Sequence, residues 1–461
     1  MERQKILMNL VRQLAIIFCS VCIIIFFFNI FHKTFTESVG TSVRIGGLIT
    51  VSYMLLYLLP VSLIRHFWRK WRANRPQSNT LRIADRFIRN PSAMFGTLVF
   101  FYAVVLFILA HIIAPDPSPF AARQINELAF RKPGYTARLF ILPVHPNEDN
   151  QGFFTWLIQG KETGRRLIAI NHAKVVPEGV EMERFLGEGI PGQKYVYTWA
   201  ELGHDEDEVH NHADALLHTH LTTQTFWLGT DDLGRDYLSR VLVGVRVSLA
   251  VGFVAVFIAL LIGVPIGAFA GFYKKQPPVI RLGKRRFQLP ADGLLMWTMS
   301  VIWAIPTLLL VFPIVFAFGQ QFYTIFIAVG LTMWVDIARV VRGQVMQVRE
   351  LEYIEATKSF GYSHFRTIFR HILPNITGPV IVITAANFAY AILTEAGLSF
   401  LGIGVQPPAP SWGLMISKYK DNLITDPYLA LIPGIAITVL VLAFFLIGNG
   451  LRDAMDNRIR S

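Results

Sequence analysis

The chain has 461 residues, of which 53% are hydrophobic and 16% charged, with a formal net charge of +12 and two cysteines. Soluble domains are typically about 45–50% apolar and 25% charged, so these proportions argue against a soluble protein and for a membrane protein. The basic residues gather in short runs beside apolar segments, with no basic face interleaved with aromatics, which argues against nucleic acid as a partner. Cys19 and Cys22 both lie inside an apolar stretch and support neither a disulfide framework nor a thiolate metal site.

In chain order, apolar stretches near 12–32, 46–64, 94–114, 243–273, 292–318, 322–342, 376–396 and 427–449 reach the roughly 20 residues that a membrane-crossing helix needs, giving eight candidate spans. The first is long for a signal peptide and has no small-residue cleavage site after it, so it reads as a retained helix. With the second it forms an N-terminal transmembrane hairpin over 1–64. Residues 65–93 are a basic linker carrying Arg65, Arg69, Lys70, Arg72, Arg75, Arg82, Arg86 and Arg89, and the positive-inside rule puts it in the cytoplasm. The same rule places Lys274, Lys275, Arg281, Lys284, Arg285 and Arg286 inside, together with Arg452, Arg458 and Arg460, so both termini are expected in the cytoplasm.

Between the span at 94–114 and the core from 227 onward, residues 115–226 change character, with 15 Asp and Glu against 10 Lys and Arg. This is expected to be an extracytoplasmic soluble insert, large enough to bury a core of its own. Its runs at 138–144, 152–158, 166–170 and 194–200 are short, aromatic and β-branched, and separated by Pro, Gly and Asn, which predicts a small β-rich domain.

Residues 341–375, VRGQVMQVRELEYIEATKSFGYSHFRTIFRHILPN, lie between the sixth and seventh spans. The pattern predicts a short helix, a break at Gly361, and a second helix capped by Ser363 and closed before Pro374, with Leu351, Ile354, Phe360, Phe365, Phe369 and Ile372 as apolar contacts. Glu355-Ala356-Thr357, Gly361 and Ile372-Leu373-Pro374 resemble the coupling loop of bacterial ABC importer permeases, and FRHILPN resembles the dipeptide, oligopeptide and nickel branch of that family. Thr357 stands where the general pattern has a second alanine, and His371 where it has isoleucine. The resemblance extends to WLGTDDLGRDYLSRVLVGVRVSLAVG (227–252), to LTEAGLSFLGIGVQPPAPSWG (393–413), and more weakly to LIGNGLRDAMDNR, with Asn449 at a usual aspartate position. It covers about 80–115 and 226–461.

The resemblance implies an all-α integral membrane protein: a six-span permease core, here with an extra N-terminal hairpin and the β-rich insert, and a coupling loop at 343–375. It implies a multi-pass inner-membrane subunit that passes peptides or a related small solute by alternating access. Its expected partners are a homologous second permease, two ABC ATPase subunits that hold ATP and Mg, and an extracytoplasmic solute-binding protein. The chain itself contains no G-x-x-x-x-G-K-[ST] loop, no H-E-x-x-H and no G-x-S-x-G, so neither catalysis nor a cofactor of its own is expected.

In the motif after the insert, Gly229, Thr230, Asp231 and Asp232 precede a span. Thr230, Asp231 and Asp232 are expected to cap its helix, Gly234 to allow close packing, and Arg235 and Asp236 to sit at the interface. A direct substrate role is the sharper alternative. Pro407, Pro408 and Pro410 before Trp412 read as a stiff outer loop. Ionisable residues inside spans are costly, which singles out Arg246, Asp336 and Glu395. Arg246 and Glu395 are expected to pair and brace an outer gate, or else to snorkel separately to the headgroups. Asp336 is expected to pair with Arg339 three residues on. The segment 203–222 carries His204, His210, His212, His218 and His220 among five acids, a candidate Zn²⁺ or Ni²⁺ set or else a solvated tether. A metal importer, and an outer-face sensor or assembly scaffold, are the rival readings.

Overall fold

The computed structural model describes residues 57–72, 78–143, 152–161, 164–204, 206–274, 279–282, 285–288, 291–319 and 321–456. They fall into two units that divide after Arg89. The first predicted span and most of the second lie outside the described residues. In the first unit the expected linker is instead two helices, α1 (Leu59–Arg72) and α2 (Asn79–Arg89). Asp85, the sole acid between Arg65 and Arg89, meets Arg72 at 2.5 Å and Arg89 at 3.1 Å, while Arg65 Nε donates to the Ile88 carbonyl at 3.1 Å. One carboxylate thus gives two basic helices a shared counter-charge.

The second unit opens with α3 (Pro91–Ile113). Asn90 caps it by accepting from Ser92 N and Ala93 N, and Pro91 supplies a preset first turn. The segment that follows folds around a five-stranded antiparallel sheet in the order β4-β3-β2-β1-β5, formed by β1 (Tyr135–Pro143), β2 (Arg165–Val176), β3 (Gly179–Arg184), β4 (Gln193–Thr198) and β5 (Leu221–Phe226). Both faces of its centre are buried. Leu139, Leu167 and Ala169 join Ile125, Leu128 and Phe185 on one side, while Phe140, Ile168 and Ile170 join Met182, Trp199 and Leu217 on the other. Two-sided burial explains why 138–144 reads as nearly continuous apolar sequence.

Two predictions in this segment are corrected. Residues 152–158 were expected as a strand but form α4 (Phe153–Gln159), bounded by Gly152 and by Gly160 at φ 89°. Their aromatic and β-branched content signals neither a strand nor burial here: no residue of α4 is buried, and the helix lies against α3 instead of the sheet. The acidic, histidine-rich tract is not a tether but α5 (Glu206–Thr219), whose Ala213, Leu216 and Leu217 lie on the sheet at helical spacing.

The spans follow. They are α6 (Tyr237–Tyr273), the pair α7 (Ala291–Ala304) and α8 (Thr307–Phe318), α9 (Phe322–Arg349), α12 (Thr377–Phe400) and α14 (Tyr428–Met455); between α9 and α12 run α10 (Glu352–Ser359) and α11 (His364–Arg366), and before α14 comes α13 (Trp412–Tyr419). With α3, five helices among the described residues are long and apolar enough to cross a membrane, and six spans result there if the bent pair counts as one. The stretch predicted at 292–318 bends by 90° between α7 and α8, where Pro306 lacks an N–H and restricts Ile305. A short β6–β7 hairpin (Val279–Leu282 with Arg285–Gln288) precedes it.

The heart of the core is the seam between α6 and α9. Gly263, Gly267 and Gly271 recur every fourth residue along α6 and face the carbonyls of Trp334, Ala338 and Arg342 on α9. A Cβ at Gly263 would stand 2.6 Å from the Trp334 oxygen and one at Gly271 2.7 Å from the Arg342 oxygen. In lipid, where association rests on close packing, such a small-residue stripe lets two backbones touch.

Candidate functional site

The loop between α9 and α12 is built outward from the end of α6. Arg349, the last residue of α9, is 5% exposed; its guanidinium donates to the Phe272 carbonyl and lies over the Phe272 ring. His364 approaches the same place from the far side of the loop, with Nδ1 3.2 Å from the Tyr273 hydroxyl and its ring 5.2 Å from that of Phe272. The loop is therefore clamped at both ends to the tip of α6. Sequence reasoning overlooked both residues, since each reads as an ordinary positive charge beside a span.

Within the loop, α10 stops at Ser359, Gly361 takes φ +74°, and Ser363 caps the next helix by accepting from Arg366 N at 3.3 Å. The predicted break and cap are both present. No atom lies within 4 Å of a Cβ placed on Gly361, so the demand for glycine there is one of backbone conformation alone. The second helix does not close before Pro374: α11 runs on as a π-helix (Thr367–Ile372) and a 3₁₀ turn (Leu373–Asn375) that contains it. Thr357 is buried, donating to the Ile354 carbonyl at 2.7 Å and lying 3.5 Å from the Thr367 hydroxyl, which holds α10 to α11. A hydroxyl at this position knits the loop where alanine could only fill space. His371 stacks on Tyr362.

The expected apolar contacts divide. Ile354 and Ile372, with Ile368, are fully buried in the core, whereas Phe360, Phe365 and Phe369 are 76%, 63% and 40% exposed. Glu355, Ala356, Gly361 and Pro374 are exposed as well, and Leu373 is half-buried. The outcome is a knob anchored behind and apolar in front, with Phe365 and Phe369 4.3 Å apart.

The motif at 229–236 sits at the opposite end of α6 and serves as a structural junction. The helix cap is Asp236, which accepts from Ser239 N at 2.8 Å; Thr230, Asp231 and Asp232 are engaged elsewhere. Thr230 binds the Leu128 carbonyl and accepts from Arg131 N. Asp231, fully buried, meets Arg235 at 2.6 Å and Arg240 at 3.6 Å. Asp232 joins Lys418 at 2.7 Å and the Tyr419 hydroxyl at 2.6 Å on α13. Gly229 and Gly234, at φ +74° and +69°, pass against the backbones of Arg131 and Ile125. Burial pushes Asp232 up, but hydrogen bonds from Lys418 and Tyr419 outweigh it and hold the carboxyl below its ordinary value. Burial pushes Asp236 up to about 6 against its Ser239 bonds, helped by Asp116 and Asp231.

Two pairings and one cluster are corrected. Arg246 does not meet Glu395: its guanidinium donates to the Ile158 carbonyl at 2.8 Å, while Glu395, fully buried, accepts from Ser399 Oγ at 2.6 Å. Asp336 accepts from Trp303 Nε1 at 3.1 Å, and Arg339 lies 4.4 Å over the same indole, so Trp303 comes between them. Of the five histidines, His204 and His220 touch, Nε2 to Nε2 at 2.9 Å, His218 is exposed, and the side chains of His210 and His212 lie outside the described ones. Among the described residues no group of three His, Cys, Asp or Glu side chains could hold a metal. His220 Nδ1 donates to the Ile141 carbonyl at 2.8 Å, which leaves its Nε2 to accept from His204; burial holds its pKa below the ordinary value.

Residues 263–461 match the family described as binding-protein-dependent transport system inner membrane component. A glutathione transport system permease protein of Pectobacterium atrosepticum is 37% identical over 235 residues, which cover 51% of this chain and 73% of that protein. A dipeptide transport system permease protein of Alkalihalophilus pseudofirmus is 39% identical over the same shares. A chain from inward-facing conformations of a methionine ABC transporter aligns with 48% of this chain and 97% of its own, at 18% identity and a TM-score of 0.38.

Proposed function

The chain belongs to the binding-protein-dependent transport system inner membrane components, and on that premise we propose that it is the permease subunit of an ATP-driven importer of peptides. It lies in the inner membrane as a multi-pass protein. The cargo is a short peptide because the similar permeases named above belong to glutathione and dipeptide transport systems; a metal cargo has no comparable support.

The observation that carries the reading is the anchored knob between α9 and α12. Exposed Phe360, Phe365 and Phe369 around Glu355 form the kind of apolar patch that marks a protein contact. Arg349 and His364 tie its back to α6, so a push on the patch is delivered to the α6–α9 seam. The contact would be a cytoplasmic ATPase subunit, one of two, with a second homologous permease completing the channel and an extracytoplasmic binding protein delivering cargo. ATP and Mg are held by the ATPases; closure of the ATPase pair draws the knobs together and turns the channel outward, and hydrolysis returns it. Both termini and the knob are then cytoplasmic, and the sheet domain is outside.

Reconstitution tests this. Proteoliposomes holding this chain with its second permease, both ATPases and the binding protein are expected to take up labelled dipeptide and to hydrolyse ATP faster when it is present. Unstimulated hydrolysis and no uptake with all partners assembled would favour the scaffold reading instead.

A further inference from the structure

A cavity of about 520 Å³ opens where the far end of α3 meets the first third of α6 beneath α4. Its walls are mostly apolar, contributed by Phe107 of α3, Ile158 of α4 and Ala250 of α6 among others. Three polar side chains line it, Gln159 of α4, Arg246 and His111, and the last two could hold an anion. Arg246 is half-buried, with Nη1 on the Ile158 carbonyl and Phe107 5.8 Å away, and among the described residues no carboxylate pairs with it. His111 is 3% exposed and its Nδ1 has no hydrogen-bond partner. The nearby carboxylate of Asp116 already accepts from Ser118 N and Arg123 N. A half-buried guanidinium beside an unsatisfied imidazole nitrogen, in an apolar pocket with no acid in its lining, is a site for an anion that carries an apolar body.

Two further features say what that body is. Below Arg246 the same face of α6 continues through Ala250, Val254, Phe257 and Leu261 at helical spacing, with Phe257 and Leu261 66% and 64% exposed, so an apolar track of about 22 Å leads away from the cation along the span. Beside the cavity mouth, α4 presents Phe153 and Phe154, 57% and 75% exposed, and aromatic residues of this kind gather at the level of lipid headgroups. We propose that the cavity is a phospholipid site: a phosphodiester sits on Arg246 and His111, and an acyl chain lies along the exposed face of α6. This departs from the gate-bracing role expected of Arg246 and is independent of the cargo.

The test uses the full chain, purified in mild detergent, stripped of lipid and titrated with dioleoylphosphatidylglycerol, with bound lipid counted by native mass spectrometry. One tightly held lipid per chain is expected. Arg246→Ala and the cavity-filling Ala250→Phe should each weaken binding at least tenfold, while Arg246→Lys keeps most of it. Wild-type competition decides the matter even where a variant misfolds: dioleoylphosphatidylethanolamine should compete, whereas inorganic phosphate and dioleoylglycerol should not. Displacement by inorganic phosphate alone would reduce the site to a free-anion site. Equal competition by dioleoylglycerol, undiminished binding to a folded Arg246→Ala, or loss of the lipid on assembly with the second permease would each overturn the proposal.

Discussion

The α6–α9 seam and the bent pair α7–α8 are both strongly apolar, yet they are packed in opposite ways. Along the seam, glycines bring backbone to backbone, and Ile337, Ala338, Val341 and Val345 of α9 are fully buried. On the bent pair, Trp297, Leu309, Phe316 and Phe318 are all more than half exposed. Apolarity therefore does not by itself separate the inside of this chain from its lipid-facing or partner-facing surface. Small residues mark where two backbones meet within the chain, while large apolar residues lie both in the core, as Phe272 and Ile337 do, and on faces left open, as Phe316 does. The knob after α9 holds both kinds of apolar surface in one loop, with buried isoleucines behind and exposed phenylalanines in front.

The sharpest way to break this contrast is to place bulk in the seam. Gly267→Leu drives a side chain into the Ala338 carbonyl, and because that neighbour is backbone it cannot rotate away. Folded yield in detergent should collapse, as overpacking of a close helix contact costs about 1–3 kcal/mol or more. The matched change on the open surface, Phe316→Leu, should leave the melting temperature of the isolated chain nearly unchanged. Equal damage from both would mean that the exposed face of α8 is closed within the chain after all.

At Gly361 the constraint is conformational, so the side chain's shape there is what matters. Gly361→Val forces a β-branched residue to φ +74° and should cost about 1–2 kcal/mol, whereas Gly361→Asn tolerates the left-handed region. In assembled transporters the valine variant should insert and bind its partners yet lose most dipeptide uptake and stimulated ATP hydrolysis, with the asparagine variant near wild type. Full uptake by the valine variant would detach the knob from energy coupling.

A smaller effect is expected where the bent pair touches α9. Trp303→Phe keeps an aromatic face for Arg339 but removes the N–H that Asp336 accepts, and should lower stability by about 0.5–1.5 kcal/mol. Asp336→Asn in the same background should then add little. Strictly additive losses would show that the indole is not the shared partner.

What could be read from the sequence follows from the range over which each signal acts. The spans from 94 onward were legible because a run of about 20 apolar residues is a local property, though that signal gave no sign of the 90° bend within 292–318. The break at Gly361 and the cap at Ser363 were legible because each is decided within a turn. The seam was in the sequence as glycines four apart, but no local signal names Trp334, Ala338 and Arg342 as their partners. Arg246 illustrates the cost of that gap: its nearest polar partner is the carbonyl of Ile158, 88 residues away, and no pattern of charges could have suggested it. The strand expected at 152–158 failed for a related reason, since aromatic residues favour strands without specifying one, and here Phe153 and Phe154 stand largely exposed on a helix beside α3. In the motif at 229–236 the cap was assigned to Thr230, Asp231 and Asp232, whereas Thr230 and Asp232 are taken up by residues distant in sequence, Asp231 by Arg235 and Arg240, and Asp236 caps the helix.

Asp236 offers the finest test of how this junction is built. Its Oδ2 accepts from Ser239 N and Oγ, while Oδ1 is buried without a partner. An acid so placed favours the protonated form, in keeping with a folded pKa of about 6 against an unfolded value near 3.8. Between those values the folded state holds a proton that the unfolded state has released. The group's stabilising contribution is thus complete below pH 4 and is lost as pH rises through 6, by about 2–3 kcal/mol in all. Asp236→Asn keeps an oxygen for Ser239 and removes the titration. Melting curves of the full chain at pH 4.5 and 7 should show the variant gaining on wild type by clearly more at the higher pH than at the lower. The opposite order would mean that Asp236 is held ionised by charges across the junction, with Arg235 and Arg240 acting on it as well as on Asp231.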